Sequence, residues 1–238
     1  MRNVITIPVQ GTGTLIITSD NSGAIGMKRD DLVLVPYETT AYYSFRVAVM
    51  ECIAAGGEPI SVVLSNFCGN EAWGKLTKGI QRGLDELQLN NVVVTGSTES
   101  NFSLQQSAVG MIVIGKKSSG KMEESIFNEQ PKLAIIGKPL VGNEVIEKVD
   151  RIAPLSIFQE ISRMDAILVW PVGSKGILFE MNQMCKNKTF LKDQVITEVD
   201  VVKSSGPATC FIALYQDNVE PEIKKIAGSY FHPVKIMS

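Results

Sequence analysis

Between residues 39 and 64 the chain changes its hydrophobic period once, and that change narrows the folds open to it. From about Thr39 to Ala55, Phe45, Val49, Met50, Ile53 and Ala54 recur at helical spacing. Gly56-Gly57 stops that helix, as glycine does just past a helix C-terminus. The β-branched run Ile60–Leu64 follows at once as a strand. A helix joined to a strand by so short a turn must pack back on the layer to which the strand belongs.

The same exchange of periods recurs along the chain. Val4–Pro8 and Thr14–Thr18 read as strands around the turn Gly11-Thr12-Gly13, and the polar stretch Ser19–Gly26 reads as a loop. Asp31–Pro36 reads as a further strand. Asn70 stands where it can cap a second helix, in which Trp73, Leu76, Ile80, Leu84 and Leu87 step by three and four. Val92–Thr95 reads as a buried strand, 96–101 as a polar loop, and Ala108–Ile114 as the last strand of this half. Lys116–Gln130 lacks periodicity and is rich in Lys, Ser, Gly and Glu, which fits a linker. Beyond it come a strand at Lys132–Ile136 and helices near Gly142–Lys148 and Ser156–Met164. A strand near Ala166–Trp170 and a helix after Ser174 follow, then strands at Val195–Val201 and Thr209–Leu214, a helix at Val219–Ala227 and a strand at Val234–Met237. The expectation is an α+β fold built of α/β layers, in two domains covering residues 1–117 and 130–238.

Charge and composition exclude several function classes. The 238 residues carry 23 Lys and Arg against 25 Asp and Glu, a formal net charge of -2, without the basic excess of a nucleic-acid binder. No apolar run approaches the ~20 residues needed to span a membrane. Met1–Pro8 lacks the apolar core of a secretory signal, so a cytoplasmic protein is expected. Cys52, Cys68, Cys185 and Cys210 form no CxxC pair and read as reduced, structural thiols. His232 is the only histidine; its place beside Pro233 in a strand pattern reads as structural, and its solitude argues against a Ser-His-Asp triad.

Chemistry is sought where polar residues gather at strand ends. Asp20 with Asn21 and Gly23 suits a phosphate and its Mg2+, although Asp-Asn-Ser-Gly is also an ordinary turn. Glu38 follows the strand ending at Pro36. Glu51 lies within the apolar helix, where a carboxylate needs a partner, a metal or an exposed edge. Gly96-Ser97-Thr98-Glu99 combines small residues, hydroxyls and an acid, which again suits a metal-bound phosphate. Arg46 is a nearby cation; Asn66 and Asn101 are further polar candidates. No GxxxxGK[ST] phosphate loop and no strand-to-helix GxGxxG is present.

The order of these segments resembles the aminoimidazole-ribonucleotide synthetase superfamily, which also holds thiamine-monophosphate kinase and selenophosphate synthetase. The resemblance rests on Val35-Pro36-Tyr37-Glu38, on the helix from Arg46 through Glu51 to Ala55-Gly56-Gly57-Glu58-Pro59, on Trp73, Gly79 and Gly83, and on Val94–Glu99. It continues in Gly137–Gly142, Val172–Ile177 and Ser205-Gly206-Pro207. It implies ATP with Mg2+ bound in a homodimer of two-domain chains. Carried over by position, Asp20, Glu38, Glu51 and Glu99 would hold the metal, and Asn21, Gly23, Arg46, Asn66, Gly96, Ser97 and Thr98 the nucleotide. Asp20 or Glu99 would orient the acceptor hydroxyl as the catalytic acid, with either Ser97 or Glu99 filling the loop position. Lys175 replaces an Asp of the kinase branch, which sets thiamine phosphate apart as substrate. The short C-terminal half and the 96–101 loop most resemble the α-ribazole kinase branch. The implied activity is an ATP- and Mg-dependent kinase for a nucleoside or vitamin precursor. A cyclo-ligase-like or thiamine-monophosphate-kinase-like enzyme and a non-catalytic nucleotide-binding protein stand as alternatives.

Overall fold

A computed structural model describes residues 4–11, 13–117, 131–185 and 188–237. The chain divides into two compact units, Arg2–Lys121 and Met122–Ser238. Of the linker expected at 116–130, Lys116 and Lys117 belong to a strand, and the remainder lies outside the described residues.

The N-terminal unit runs β1 (Val4–Val9), β2 (Gly13–Gly23), β3 (Ile25–Gly26), β4 (Val33–Leu34), α1 (Tyr37–Ala54), β5 (Glu58–Asn66), α2 (Trp73–Glu86), β6 (Val93–Thr98) and β7 (Ala108–Lys117). Its five-stranded sheet has the order β1-β2-β7-β5-β6, antiparallel except for the β5–β6 pair. Alternation sorts its two faces. Ile16, Thr18, Val62, Leu64, Val109, Met111 and Val113 are buried on the side that α1 covers. The opposite row runs Ile5, Ile17, Ile114, Ser61 and Val93 across the strands.

Helices α1 and α2 touch where α2 has no side chain. A β-carbon at Gly79 would lie 2.1 Å from the Glu38 carbonyl oxygen, and one at Gly83 would lie 2.4 Å from the Phe45 ring. That proximity lets Leu76, Ile80 and Leu84 bury completely or nearly so. Each such side chain is worth roughly 1.5–3 kcal/mol of transfer free energy.

The structure changes four expectations in this unit. The stretch from Ser19 is not a loop: β2 continues through Gly23 because its pairing with β7 runs unbroken from Ser19 opposite Ile112 to Gly23 opposite Ala108. The strand expected at Asp31–Pro36 shrinks to Val33–Leu34, because Asp31 turns inward to bond Ser107. The strand expected to be buried at Val92–Thr95 is instead the sheet edge, with Val93 62% exposed. Asn70 opens a short 3-10 turn ahead of α2 and makes no side-chain cap.

The C-terminal unit runs β8 (Lys132–Ile136), α3 (Glu144–Glu147), α4 (Leu155–Ser162), β9 (Ile167–Pro171), α5 (Ile177–Met184), β10 (Val195–Ile196), β11 (Phe211–Tyr215), α6 (Glu220–Ala227) and β12 (Phe231–Ile236). Its sheet is antiparallel, in the order β10-β12-β8-β11-β9. All five residues of β11 are buried, as a central strand covered on both faces requires. Ile212 and Leu214 join Met181 and Ile177 of α5 in one core cluster. Phe211 meets Phe158 of α4 edge-on at 5.0 Å. The strand expected at Val195–Val201 is only Val195–Ile196, and Ser174 caps nothing: Gly176, at φ 82°, precedes α5. His232 is buried in β12 and bonds Glu198 through Nδ1, a structural role as expected.

Candidate functional site

Asp20 is the most constrained of the expected site residues. It lies in β2 on the α1 side of the sheet, two residues beyond Thr18, whose hydroxyl donates to the Ala48 carbonyl at 2.7 Å. One turn earlier on α1, the Ser44 hydroxyl bonds the Asp20 carboxylate, as does the Asn21 backbone. Burial pushes the carboxyl up to about 6, and these hydrogen bonds draw it down only in part. A carboxyl that titrates near neutrality beside a helix is chemically distinctive, and it is the best candidate in the unit for proton handling. Asn21 and Gly23 do not share its surroundings. Asn21 alternates to the other face of the sheet, opposite Gly110, and Gly23 pairs with Ala108.

The other three acids sit elsewhere. Glu38 occupies the first turn of α1 and pairs with Lys78 of α2 at 3.1 Å. Glu51 is thirteen residues further along the same helix, about 20 Å at 1.5 Å per residue, so Glu38 and Glu51 cannot ligate one cation. Glu99 lies past the end of β6. Its Oε1 accepts from the backbone N–H groups of Asn101 at 2.7 Å and Phe102 at 3.2 Å, so the carboxylate closes its own turn. Among the described residues, no group of three or more His, Cys, Asp or Glu side chains is placed to hold a metal ion. Within one chain the four acids inferred for Mg2+ are therefore not brought together, because the rise of α1 spreads acids that sequence order placed in one series.

The residues expected to bind nucleotide divide in the same way. Arg46 is fully buried within α1, where its charge acts on Tyr42 and Tyr43; a ligand does not reach it from the surface. Asn66, 1% exposed at the end of β5, has its amide engaged on three sides. Its Nδ2 donates to the Gly69 carbonyl at 2.9 Å and to the Thr98 hydroxyl at 3.0 Å, and its Oδ1 accepts from the Cys68 N–H at 2.8 Å. Asn66 thus brackets the end of β5 to the end of β6. Gly96 is glycine for a reason inside the sheet: at φ 156°, a β-carbon would lie 1.9 Å from the Leu64 carbonyl oxygen of β5. Ser97 and Asn101 are exposed, and Thr98 is partly so. Together Ser97, Thr98, Glu99 and Asn101 form a polar rim at the C-terminal ends of the parallel pair β5 and β6.

A second polar cluster escaped the sequence reading. Asp31 accepts from the Ser107 N–H at 2.7 Å, from the Ser107 hydroxyl at 2.7 Å and from the Lys28 N–H at 2.8 Å. Burial raises its carboxyl, but these bonds and the Lys28 charge outweigh burial and hold it below the usual carboxylate range. The Tyr37 and Ser107 hydroxyls lie 3.3 Å apart, so Tyr37 joins the same cluster. The only local signal was Asp31 three residues after Lys28 in a turn-rich segment, and Ser107 lies 76 residues away.

Asp31→Asn keeps the shape and loses the charge, and it turns one acceptor into a donor facing either the Ser107 N–H or the Lys28 N–H. A hydrogen bond to a charged group is worth about 1.5–3 kcal/mol, and a stability loss of about 2 kcal/mol at pH 7 is expected. A depressed carboxyl stabilises the fold above its unfolded value of 3.8, and that stabilisation fades as pH falls through the lower folded value. Urea unfolding should therefore show the two proteins converging below about pH 4. An equal gap at pH 3 and pH 7 would contradict this assignment.

No protein-family model matches the sequence, and no curated protein does. Solved structures resemble the whole chain. Hydrogenase maturation protein HypE aligns at TM-score 0.63 and 9% identity over 100% of this chain and 84% of its own. Thiamine monophosphate kinase from Aquifex aeolicus aligns at TM-score 0.62 and 11% identity, over 100% and 89%. T. maritima PurL complexed with AMPPCP aligns at TM-score 0.61 and 12% identity over 98% of this chain, which spans 42% of PurL. At such identities the likeness is one of fold. The mixed α/β architecture expected from the sequence is the one that the chain adopts, and these structures share it.

Proposed function

We propose that this protein is an ATP-dependent enzyme that phosphorylates a small hydroxylated molecule. The observation that carries the reading is the fold. Structures of the same architecture include HypE in complex with ATP, PurL with AMPPCP and thiamine monophosphate kinase, and the likeness covers 97–100% of this chain. Phosphoryl transfer depends on positioning and charge neutralisation, and it needs neither a histidine nor a cysteine nucleophile. The finer reading is α-ribazole kinase, with Asp20 taking the proton of the acceptor 5′-hydroxyl and the rim at Ser97, Thr98 and Glu99 facing the nucleotide. The purified chain with ATP, magnesium and α-ribazole should release ADP. Release with thiamine phosphate or formylglycinamidine ribonucleotide instead would reject that acceptor and keep the class.

One observation favours a second reading. Glu38 is paired with Lys78 and Glu99 closes its own turn, so two of the four expected metal ligands are committed within the fold. That arrangement suits a protein that binds a nucleotide without turning it over. Saturable ATP binding with no ADP release across nucleosides and vitamin precursors would establish it.

We also propose that the chain pairs with a second copy through the face of the N-terminal sheet opposite α1. That face carries Ile5, 60% exposed, Ile7, 41% exposed, and Ile112, 36% exposed, beside Leu15 and Ile17. Contiguous apolar surface of this kind marks an interface. Sedimentation equilibrium should show a dimer, and Ile112→Glu should shift it to monomer with the helix content unchanged. A wild-type monomer at tens of micromolar would overturn this pairing.

A further inference from the structure

Lys28 does something that no function considered so far uses. Its ammonium donates to two main-chain carbonyls from distant loops, Phe67 at 3.1 Å and Leu104 at 2.8 Å. The Lys28 N–H is itself fixed by Asp31, three residues on. Asp31 in turn holds Ser107, and the neighbouring Gln106 donates from Nε2 to the Asp30 carbonyl at 2.6 Å. One four-residue turn, Lys28–Asp31, thus grips the chain after β5 at Phe67 and both ends of the segment 104–107. The ammonium has three donors and no acceptor, and two of its donors go to these carbonyl oxygens.

We propose that Lys28 is a positioning residue, a surface cation that ties the middle of the 99–107 segment to the chain after β5 and so sets the rim at Glu99 and Asn101. Main-chain bonds hold the ends of the segment, and its middle has few contacts of its own. Ser100 to Gln106 are exposed, Phe102 79% and Leu104 44%, so the segment gains little apolar burial. Its order rests on polar contacts: the Glu99 N–H on the Asn66 carbonyl at 2.8 Å, Glu99 to its own turn, the Ala24 N–H on the Ser107 carbonyl at 2.8 Å, the Ser107 and Gln106 bonds to the 30–31 backbone and side chain, and the ammonium at Leu104. Glu99 ties the start of the segment to Asn66, and the ammonium ties its middle, at Leu104, to Phe67.

The role as a rim-setting residue rests on the reading that the rim faces nucleotide; the positioning itself does not. The experiment separates them. In Lys28→Ala, and in Lys28→Met as a second variant of different bulk, the hydrogen-bonded amides of the segment, those of Glu99, Asn101, Phe102 and Ser107, should exchange about tenfold faster or more, as expected for loss of a charged hydrogen bond. Amides of α1, β2 and β7 should keep their wild-type rates. In Lys28→Ala, n-propylammonium supplies the missing carbons and charge, and it should restore slow exchange in 99–107, whereas potassium chloride at equal ionic strength should not do so as well. Unchanged exchange in 99–107, uniform acceleration of all amides, or failure of the amine to restore protection would each overturn the proposal. ATP affinity measured on the same samples reads the rim: if 99–107 loosens and affinity holds, positioning by Lys28 stands and the nucleotide-facing rim falls.

Discussion

Gly79→Ala is expected to destabilise the protein by about 3 kcal/mol, against the direction that helix propensity predicts. In an exposed helix interior, alanine in place of glycine gains about 1 kcal/mol. At position 79 the new methyl group meets the backbone: its β-carbon would lie 2.1 Å from the Glu38 carbonyl oxygen, 2.9 Å from the Glu38 carbonyl carbon and 3.0 Å from the Tyr42 nitrogen. No rotamer change relieves a clash with main chain, so α1 and α2 must move apart. That movement loosens Leu76, Ile80 and Phe45, all completely buried. Gly74, in the same helix, has nothing within 4 Å of a β-carbon and is the internal control. Gly74→Ala should stabilise slightly where Gly79→Ala destabilises strongly, both read from urea midpoints at constant m-value. Equal stability of the two variants would show that the α1–α2 approach is slack, and the packing account would fail.

That contrast also shows what was legible in the sequence. Trp73, Gly79 and Gly83 were visible as a series, and Leu76, Ile80 and Leu84 gave the buried stripe of α2 directly. Local pattern likewise found α1, β5, β7 and β8 to within a few residues: β5 and β7 bury alternate residues, and α1 and β8 are apolar runs buried on most sides. What escaped is set by partners remote in sequence. The polar residues of β2 read as a loop because only the register with β7, about ninety residues on, makes them a strand. Asp31 gave no sign of the Ser107 cluster for the same reason. In the site, the identities of Asp20, Asn66 and Gly96 carried information, but their neighbours did not follow from order along the chain. Gly96 accommodates the Leu64 carbonyl of the adjacent strand, and Asn66 ties two strand ends. The four acids formed one series in sequence, and the rise of α1 separates two of them.

Asp20 should make the protein less stable as pH rises from about 4 to about 6, opposite to what an ion-paired carboxylate does. Its carboxyl stands at 3.8 when unfolded and about 6 when folded, raised first by burial against α1. Between those values the folded chain holds a proton that the unfolded chain has released, so unfolding releases protons and stability falls with rising pH. A difference of about two units at 1.36 kcal/mol each gives a loss of about 3 kcal/mol across that window, complete above pH 7 and absent below pH 4. Asp31 and Glu198, whose carboxyls are depressed, tilt the whole-protein curve the other way, so the wild-type curve alone does not isolate the effect. The difference between wild type and Asp20→Asn does. An amide cannot ionise, and the variant should gain on the wild type by about 3 kcal/mol between pH 4 and pH 7. Ser44→Ala removes a bond that favours the carboxylate and should move the midpoint of this difference upward in pH. Parallel stability curves for wild type and Asp20→Asn from pH 4 to pH 7 would mean that Asp20 is ionised in a solvated setting. Its candidacy as the group that accepts a proton near neutrality would then be lost.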